Sequence, residues 1–357
     1  MLAKIEAILE QKSGLKAKAI ASKLRADKTE INRLLHAHED IFVKDPEFTW
    51  SLKELQIDLG SDCWLTAEMF EEALLAIGSP LDSSFRRVSF IVGEECKIML
   101  EALARLLALC NQLVDSGKIV SINFDTSKST LTYLNRIGFI DLLQSGVKVL
   151  PKRPRFSAAA AYEGNNDSVV ELRKIDHLHP NDEIPNLLRN SFVNRAGDQY
   201  YVAAFTVISE LFGNVQEHSE AATAGFAGLQ YYKGSKRHIQ TVISDSGRGI
   251  VGTLMPILQD KHPDVARKIA KSSTDPRVAL LQEVFSAGSI SRVDESGRGL
   301  GLKRSGECAN KYNAFISIRQ ETFELKISHI GERIQFSHCL DLARIVGTHI
   351  CFDFLLD

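Results

Sequence analysis

A helical segment in the second half of the chain carries a carboxylate and an amide at a spacing that suits phosphate chemistry. Residues 210–219 read ELFGNVQEHS, and Glu210 and Asn214 are four apart, so both side chains project from one face of a helix. A carboxylate can orient a water molecule, and an amide oxygen can hold Mg²⁺, a hard cation that prefers oxygen ligands. Taken without its context, the same pair is also typical of an ordinary solvated helix face.

Two glycine-rich segments follow this helix in the chain. Residues 245–250 read DSGRGI directly after an apolar strand, where the carboxylate of Asp245 can accept the amino group of adenine and the glycines let backbone approach a ligand closely. Residues 297–302 read GRGLGL ahead of a predicted helix, and such backbone offers N–H groups to phosphate oxygens. The later segment matches neither the Rossmann fingerprint nor the P-loop, which disfavours both of those nucleotide folds.

The three segments, in this order, resemble the GHKL (Bergerat-fold) ATPase domain, whose N-box is similar to ELxxNxxxHS and whose glycine boxes are similar to DxGxGI and GxGLGL. The resemblance covers residues 165–357 and implies ATP and Mg²⁺ as cofactors, Asn214 as the Mg²⁺ ligand and Glu210 as the general base. It also implies that Asp245 reads adenine and that Thr348, in a GT pair before the last strand, lies near the same base. The implied phosphate or lid contacts are Gly247, Gly249, Gly297, Arg298, Gly299, Leu300 and Gly301.

The same resemblance implies a lid over the nucleotide between residues 251 and 296, a polar and charged stretch that we expect nucleotide to order. The sequence ahead of the N-box predicts neither a phosphoacceptor helix pair nor a transmembrane sensor, so the resemblance does not extend to two-component sensor kinases. For residues 165–357 we expect a GHKL α/β sandwich, a mixed sheet with helices on one face.

Residues 88–155 alternate between predicted strands and helices, which is typical of a small α/β domain. The predicted strands are 88–92, 119–124 and 147–150, and the predicted helices are 96–116 and 130–144. Residues 119–139 resemble the STAS-like domains of the anti-anti-sigma class, which a GHKL serine kinase phosphorylates at the start of a helix. The implied counterparts here are Ser127, Ser129 and Thr130; the alternative is that these hydroxyls cap the helix.

Residues 1–55 predict three short helices and a hairpin, which resembles a winged helix. Between Lys12 and Arg33 there are seven Lys or Arg against two Asp or Glu, a local basic face of the kind that phosphate contacts require. Lys28, Asn32 and Arg33 are therefore the candidate DNA contacts. The alternative for this unit is a winged helix that binds protein or forms a dimer. Residues 56–87 are expected to be a connecting segment.

Composition narrows the class of protein further. The 357 residues carry a net charge of −2, so no overall field attracts the chain to nucleic acid or to an anionic membrane. Residues 98–114 are apolar but include Glu101, Arg105, Asn111 and Gln112, which predicts an amphipathic helix and excludes a membrane span. The six cysteines form no CxxC pair, which is typical of reduced thiols in a cytoplasmic protein.

Together these patterns predict an α+β protein that binds Mg-ATP, and the resemblances imply how the protein uses the nucleotide. The first expectation is a cytoplasmic regulator that hydrolyses ATP to switch contact with a protein or DNA partner. Two alternatives stay open: a protein serine kinase of the anti-sigma type, and a DNA-binding regulator that uses ATP only as a ligand. Homodimer formation is also open, and bacterial stress response or phage defence would suit such a combination of domains.

Overall fold

The computed structural model describes residues 1–166, 168–176, 179, 181, 183–218, 224–234, 236–286, 307, 314–330 and 333–356, with backbone alone at 211, 214, 216–218, 329 and 330. These residues form helices and strands in a mixed α+β architecture, which confirms the predicted class. No helix among them is long and apolar enough to cross a membrane.

The N-terminal unit contains the predicted three helices and hairpin. Its elements are α1 (Leu2–Gln11), α2 (Ala17–Leu24), α3 (Lys28–Ala37), β1 (Phe42–Lys44) and β2 (Trp50–Leu52). Asp27 caps α3 by accepting hydrogen bonds from the backbone N–H groups of Thr29 and Glu30 at 2.8 and 3.0 Å. Asp45 accepts from the backbone N–H of Thr49 at 2.6 Å, so the turn extends to Thr49 and β2 begins at Trp50.

The middle unit is built on a four-stranded parallel sheet in the order β3-β5-β7-β8. Its strands are β3 (Leu55–Asp58), β4 (Trp64–Leu65), β5 (Arg87–Ile91), β6 (Lys97–Ile98), β7 (Ile119–Asn123) and β8 (Lys148–Leu150). Its helices are α4 (Ala67–Leu75), α5 (Leu100–Asp115), α6 (Lys128–Arg136), α7 (Phe139–Leu142) and α8 (Ala158–Ala161).

Two sequence predictions for this unit are wrong. Residues 56–87, expected to connect domains, hold α4 and most of the edge strand β3, because a four-residue strand with two apolar positions gives too short an alternation to detect. The single helix expected over 130–144 is two helices, since Gly138 adopts φ 84° and ends the first one.

The C-terminal unit holds a seven-stranded sheet in the order β14-β13-β12-β15-β11-β10-β9. Its strands are β9 (Val169–Ile175), β10 (Gly225–Tyr232), β11 (Arg237–Asp245), β12 (Ala314–Glu321), β13 (Phe323–Ile330), β14 (Arg333–Cys339) and β15 (Ile345–Leu356). Its helices are α9 (Glu183–Ala196), α10 (Tyr201–His218), α11 (Gly249–Leu254), α12 (Leu258–Lys261), α13 (Pro263–Ala270) and α14 (Pro276–Ser286).

This sheet differs from the predicted one in strand direction. Every neighbouring pair is antiparallel, whereas the sequence analysis expected a mixed sheet. The short links between β10 and β11 and along β12, β13 and β14 allow only antiparallel pairing, because parallel neighbours need a long crossover.

The helices of the C-terminal unit pack on one face of this sheet, as expected, and α5 of the middle unit covers the other face. Phe352 and Phe354 of β15 belong to a core with Phe192 of α9 and Leu280 of α14. Cys351, on the other face of β15, belongs to a core that contains α5 and the parallel sheet. Helix α5 therefore lies between the two sheets, and every residue from Ala102 to Leu113 is buried.

Burial of α5 corrects its predicted amphipathic character. Arg105 and Gln112 contact the C-terminal unit, and Asn111 contacts α7, rather than water. Arg105 is 1% exposed and contacts Glu71 of α4 at 2.8 Å, Glu101 at 2.6 Å and Glu324 of β13. Arg319 of β12 is also buried and donates to Glu71 at 2.9 and 3.2 Å. We call Glu71, Glu101, Arg105, Arg319 and Glu324 the inter-sheet charge cluster.

Residues 251–286, expected to form a polar lid, are largely helical and partly buried. Val278, Leu280 and Leu281 of α14 lie in the core of the C-terminal unit. Arg277 donates to Thr322 Oγ1 at 3.1 Å and so attaches this helix to the turn between β12 and β13. Polar composition misled the prediction because the apolar residues of α14 are concentrated in one short run. Residues 287–296 lie outside the described residues.

Candidate functional site

The ends of strands β11 and β15 bring two predicted site residues together. Asp245 is the last residue of β11, and its register partner on the antiparallel neighbour β15 is Thr348. Asp245 is buried, with 7% of its surface exposed. Residues that are about 100 positions apart in the chain are thus adjacent at one sheet edge, by which we mean the row of strand ends where β11 finishes beside β15.

Glycines allow the surrounding backbone to approach this edge. A Cβ on Gly347, whose φ is 98°, would lie 1.9 Å from the carbonyl oxygen of Asp245, so only glycine fits there. A Cβ on Gly225 would lie 2.7 Å from both the Ser244 carbonyl oxygen and Val215 Cγ1. The missing side chain at Gly225 therefore lets α10, at the residue after Asn214, pack directly against the end of β11.

A hydrogen-bond network attaches the start of α11 to this edge. Thr348 Oγ1 accepts from Gln320 Nε2 at 2.8 Å and from the backbone N–H of Ile250 at 3.3 Å. Gln320 Oε1 accepts from the N–H of Val251 at 3.1 Å, which fixes the orientation of the amide. Gly249, with φ 71°, lies beside Thr348, and a Cβ there would be 3.4 Å from Oγ1.

A side chain from the middle unit holds the two loops of the site together. Gln112 of α5 donates through Nε2 to Ser246 Oγ at 3.0 Å and to the carbonyl oxygen of Val346 at 2.8 Å. Its Oε1 accepts from the N–H of Val346 at 2.8 Å. The loop after β11 and the start of β15 are therefore both positioned by α5.

Beneath the site, His349 is held as a neutral side chain. Burial, together with the nearby charge of Arg319, lowers the pKa of His349 to about 3. Its Nδ1 contacts Ser244 Oγ, and its Nε2 lies 3.0 Å from the carbonyl oxygen of Val346, to which it donates. With Nε2 carrying the hydrogen, Nδ1 accepts from the Ser244 hydroxyl.

Sequence reasoning missed Gln112 and Gln320 as parts of the site. Each interrupts an apolar pattern: Gln112 lies in the apolar run of α5, and Gln320 follows Ile316 and Ile318 on the same face of β12. A polar residue at a core position was the available signal, because buried amides need partners.

The other predicted residues have different outcomes. Gly247 is buried in the loop after Asp245, and Gly249 is half-buried at the first position of α11. Glu210 is half-buried on α10; Asn214 is on the same helix, but its side chain lies outside the described atoms. The remaining predicted contacts all lie outside the described residues: Gly297, Arg298, Gly299, Leu300 and Gly301.

Of the predicted sites in the other two units, the candidate DNA contacts are exposed, whereas two of the three candidate phosphorylation hydroxyls are buried. Lys28, Asn32 and Arg33 are exposed on α3, away from the buried Ile31 and Leu35.

Of the three hydroxyls that the STAS resemblance implied, Ser129 is exposed, whereas Ser127 and Thr130 are buried. Ser127 donates to Thr130 Oγ1 at 2.8 Å and Thr130 to the Cys96 carbonyl at 2.6 Å, so neither makes the predicted helix cap.

No group of three or more His, Cys, Asp or Glu among the described residues could hold a metal ion. Comparison with known proteins gives no match, either to a protein-family model or to a curated protein.

Proposed function

We propose that the C-terminal unit binds Mg-ATP in a GHKL-type site at the ends of β11 and β15, and that nucleotide binding regulates a partner of the N-terminal unit. The observation that carries this proposal is the meeting of Asp245, Gly249 and Thr348 at one sheet edge. These are residues to which the GHKL resemblance assigns adenine and phosphate contacts, and their proximity is not required by their sequence separation.

The chemistry of the edge suits a purine. Asp245 offers a buried carboxylate, a strong acceptor for an exocyclic amino group. Thr348 Oγ1 accepts two hydrogen bonds from described groups, so its own hydrogen is the part of the hydroxyl left to donate to a ring nitrogen. One acceptor and one donor side by side match the edge of adenine.

On the phosphate side, α10 would contribute two residues. Asn214 would hold Mg²⁺, which would neutralise charge on the phosphates. Glu210, one helical turn earlier, would orient a water molecule for hydrolysis. Packing of α10 against the end of β11 through Gly225 supports the helix as the wall that faces the strand ends.

The route from this site to the N-terminal unit runs through direct side-chain contacts. Gln112 links both loops of the site to α5, which packs on the parallel sheet. At the start of β5 in that sheet, Arg87 donates to Glu10 at 2.7 Å and to Glu6 at 2.9 Å, both on α1. A change at the nucleotide loops can therefore reach the unit that carries α3 without crossing a flexible linker.

Titration with ATP and Mg²⁺ tests the proposal, with affinity and phosphate release both followed. Asp245→Asn keeps the size of the side chain but donates where a carboxylate accepts, and Asn214→Ala removes the Mg²⁺ ligand. Asp260→Asn, at an exposed carboxylate on α12, is the matched control.

We expect binding by the wild type and the control and a loss of at least about tenfold in both site variants, since a charged hydrogen bond contributes about 1.5–3 kcal/mol. Equal binding by all four proteins, or none at millimolar ATP, would refute the site. Phosphate release that disappears in Glu210→Ala while binding persists would distinguish an ATPase from a ligand sensor.

A further inference from the structure

Two cysteines of the middle unit lie side by side at the carboxyl-terminal edge of the parallel sheet. The Sγ atoms of Cys63 and Cys96 are 3.6 Å apart. Cys63 is half-buried between exposed neighbours, and Cys96 is fully buried. The thiol of Cys63 donates toward Cys96, and the thiol of Cys96 donates toward the carbonyl oxygen of Leu59 at 3.6 Å.

Backbone hydrogen bonds hold the two loops that carry these thiols. The N–H of Gly93 donates to Gly60 at 3.0 Å, that of Asp62 to Glu94 at 2.8 Å, and that of Lys97 to Cys63 at 2.8 Å. A Cβ on Gly93 would lie 2.5 Å from the Gly60 carbonyl oxygen, so the loops approach as closely as glycine permits. The sulfurs are therefore kept together by the backbone on both sides.

The backbone separation also suits a covalent bond. Trp64 and Lys97 are register partners in a parallel bridge, so Cys63 and Cys96, each one residue before its strand, lie about 5 Å apart at Cα. Disulfides join residues whose Cα atoms are about 4.4–6.8 Å apart. Rotation of the two side chains can close the remaining gap without moving the strands.

We propose that Cys63 and Cys96 form a redox-modification site that closes to an intramolecular disulfide when the protein meets a small-molecule disulfide oxidant. The Cys63 thiolate attacks one sulfur of the oxidant and releases its first thiolate, which leaves a mixed disulfide on Cys63. The Cys96 thiolate then attacks the Cys63 sulfur and releases the second thiolate. Two cysteine protons and two electrons pass to the oxidant, which becomes two thiols.

The two cysteines have different parts in this reaction. Cys63 is the accessible thiol and reacts first. Burial, with a contribution from the neighbouring thiol of Cys63, raises the pKa of Cys96 to about 12. Its thiolate fraction rises about tenfold per pH unit below that value, so the closing step accelerates with pH.

The bond would fix β4 to β6 immediately before α5 begins at Leu100.

The other described cysteines differ in their access to an oxidant: Cys110 and Cys351 are buried, and Cys339 is exposed.

Non-reducing peptide mapping of the reduced full-length protein after treatment with oxidised glutathione tests the proposal. We expect a Cys63–Cys96 crosslinked peptide pair as the main product, formed about tenfold faster for each added pH unit between about pH 7 and about pH 9. Cys339→Ser, at an exposed cysteine, is the matched control and should leave this product unchanged. Cys63→Ser should abolish the product and leave Cys96 reduced.

Two results would overturn the proposal. One is a stable glutathione adduct on Cys63 with Cys96 still reduced throughout that pH range. The other is a crosslink that forms only in denaturant, where all six cysteines can exchange, and never in the folded protein. Because Cys63→Ser replaces a half-buried thiol with a similar hydroxyl, folding of this variant is checked by its far-ultraviolet circular dichroism.

Discussion

Arg105→Met removes the cation at the centre of the inter-sheet charge cluster while keeping most of the side-chain volume. Glu71, Glu101 and Glu324 each lose an ion pair with the guanidinium. Because α5 lies between the two sheets, solvent reaches little of the space that the guanidinium occupied. The substitution therefore leaves buried carboxylates with fewer cations, and the protein should be less stable.

The magnitude follows from what each carboxylate keeps. Glu71 still pairs with Arg319, and the side chain of Glu101 is 18% exposed and can be partly hydrated. Glu324 is 4% exposed and, among the described residues, keeps the Lys326 Nζ at 3.7 Å and the Ser317 hydroxyl at 2.6 Å. Removal of one partner of a buried ion pair lowers the free energy of unfolding by about 3–5 kcal/mol. Because these contacts remain, we expect Arg105→Met to lower it by about 3 kcal/mol, the lower end of that range.

Urea unfolding followed by circular dichroism measures this loss. Arg267→Met is the control, since that ion pair with Asp264 is largely exposed and should change stability by less than about 0.5 kcal/mol. The double variant Arg105→Met, Glu324→Gln should have a free energy of unfolding about 2 kcal/mol above that of Arg105→Met, because the unpaired carboxylate charge is gone.

The pH dependence gives a second check. Burial would raise the pKa of Glu324, but Arg105 and Lys326 hold it below its ordinary value. Without Arg105 this pKa rises, so Glu324 takes up a proton in the folded variant as the pH falls. The difference in free energy of unfolding between variant and wild type should therefore become smaller as the pH is lowered from about 7 to about 5. A loss of unfolding free energy below about 1 kcal/mol in Arg105→Met, or a difference from wild type that does not become smaller at lower pH, would refute the role of Arg105 as the cation that stabilises Glu324.

Three further predictions concern the site and the N-terminal unit. The folded-state pKa of His349, about 3, is below its ordinary 6.5, so only the unfolded chain takes up this proton as pH falls through that window. Stability should thus fall by up to about 1.4 kcal/mol per pH unit, and His349→Gln should reduce that slope in urea midpoints measured between about pH 6.5 and about pH 5; an unchanged slope contradicts the buried neutral imidazole. Gly249→Ala forces a side chain into φ 71° beside Thr348, which should cost about 1–2 kcal/mol in urea unfolding and weaken ATP binding by calorimetry, whereas wild-type values for both would show that the loop tolerates a Cβ. Lys28→Ala combined with Arg33→Ala should lower the slope of log affinity for duplex DNA against log salt by about 2 in fluorescence anisotropy, and unchanged affinity would instead favour a protein partner.

Elements with a long, regular pattern were predictable from the sequence, and short ones were not. Strand β11 and helix α10 each contain enough residues for their periodicity to appear. Strand β3 contains four residues and β4 two, so neither shows a period. Helix α9 was missed because Pro185 near its start and several asparagines hide its buried positions.

The candidate site was predictable only where its residues form local motifs. Asp245 and Gly249 belong to one short segment, and Thr348 follows a glycine before a strand. The contacts of Gln112 cross 134 and 234 positions of the chain, and tertiary packing alone determines them. The polar face of α5 was misread for the same reason: a helical pattern gives the direction of a polar face, but not whether water or another polar surface covers it.

Burial of charge between the two sheets has a consequence for how the chain is made. The parallel sheet and α5 are complete in the growing polypeptide at Leu150, before any strand of the seven-stranded sheet has been synthesised. Until then Arg105 and Glu101 would be open to water, and polar groups on that face would make a nascent chain less prone to aggregate than an entirely apolar face. When the later strands are added, Arg105 leaves water for Glu324 and Ser317. Polar groups that would limit aggregation of the nascent chain thus become part of the interior of the folded protein.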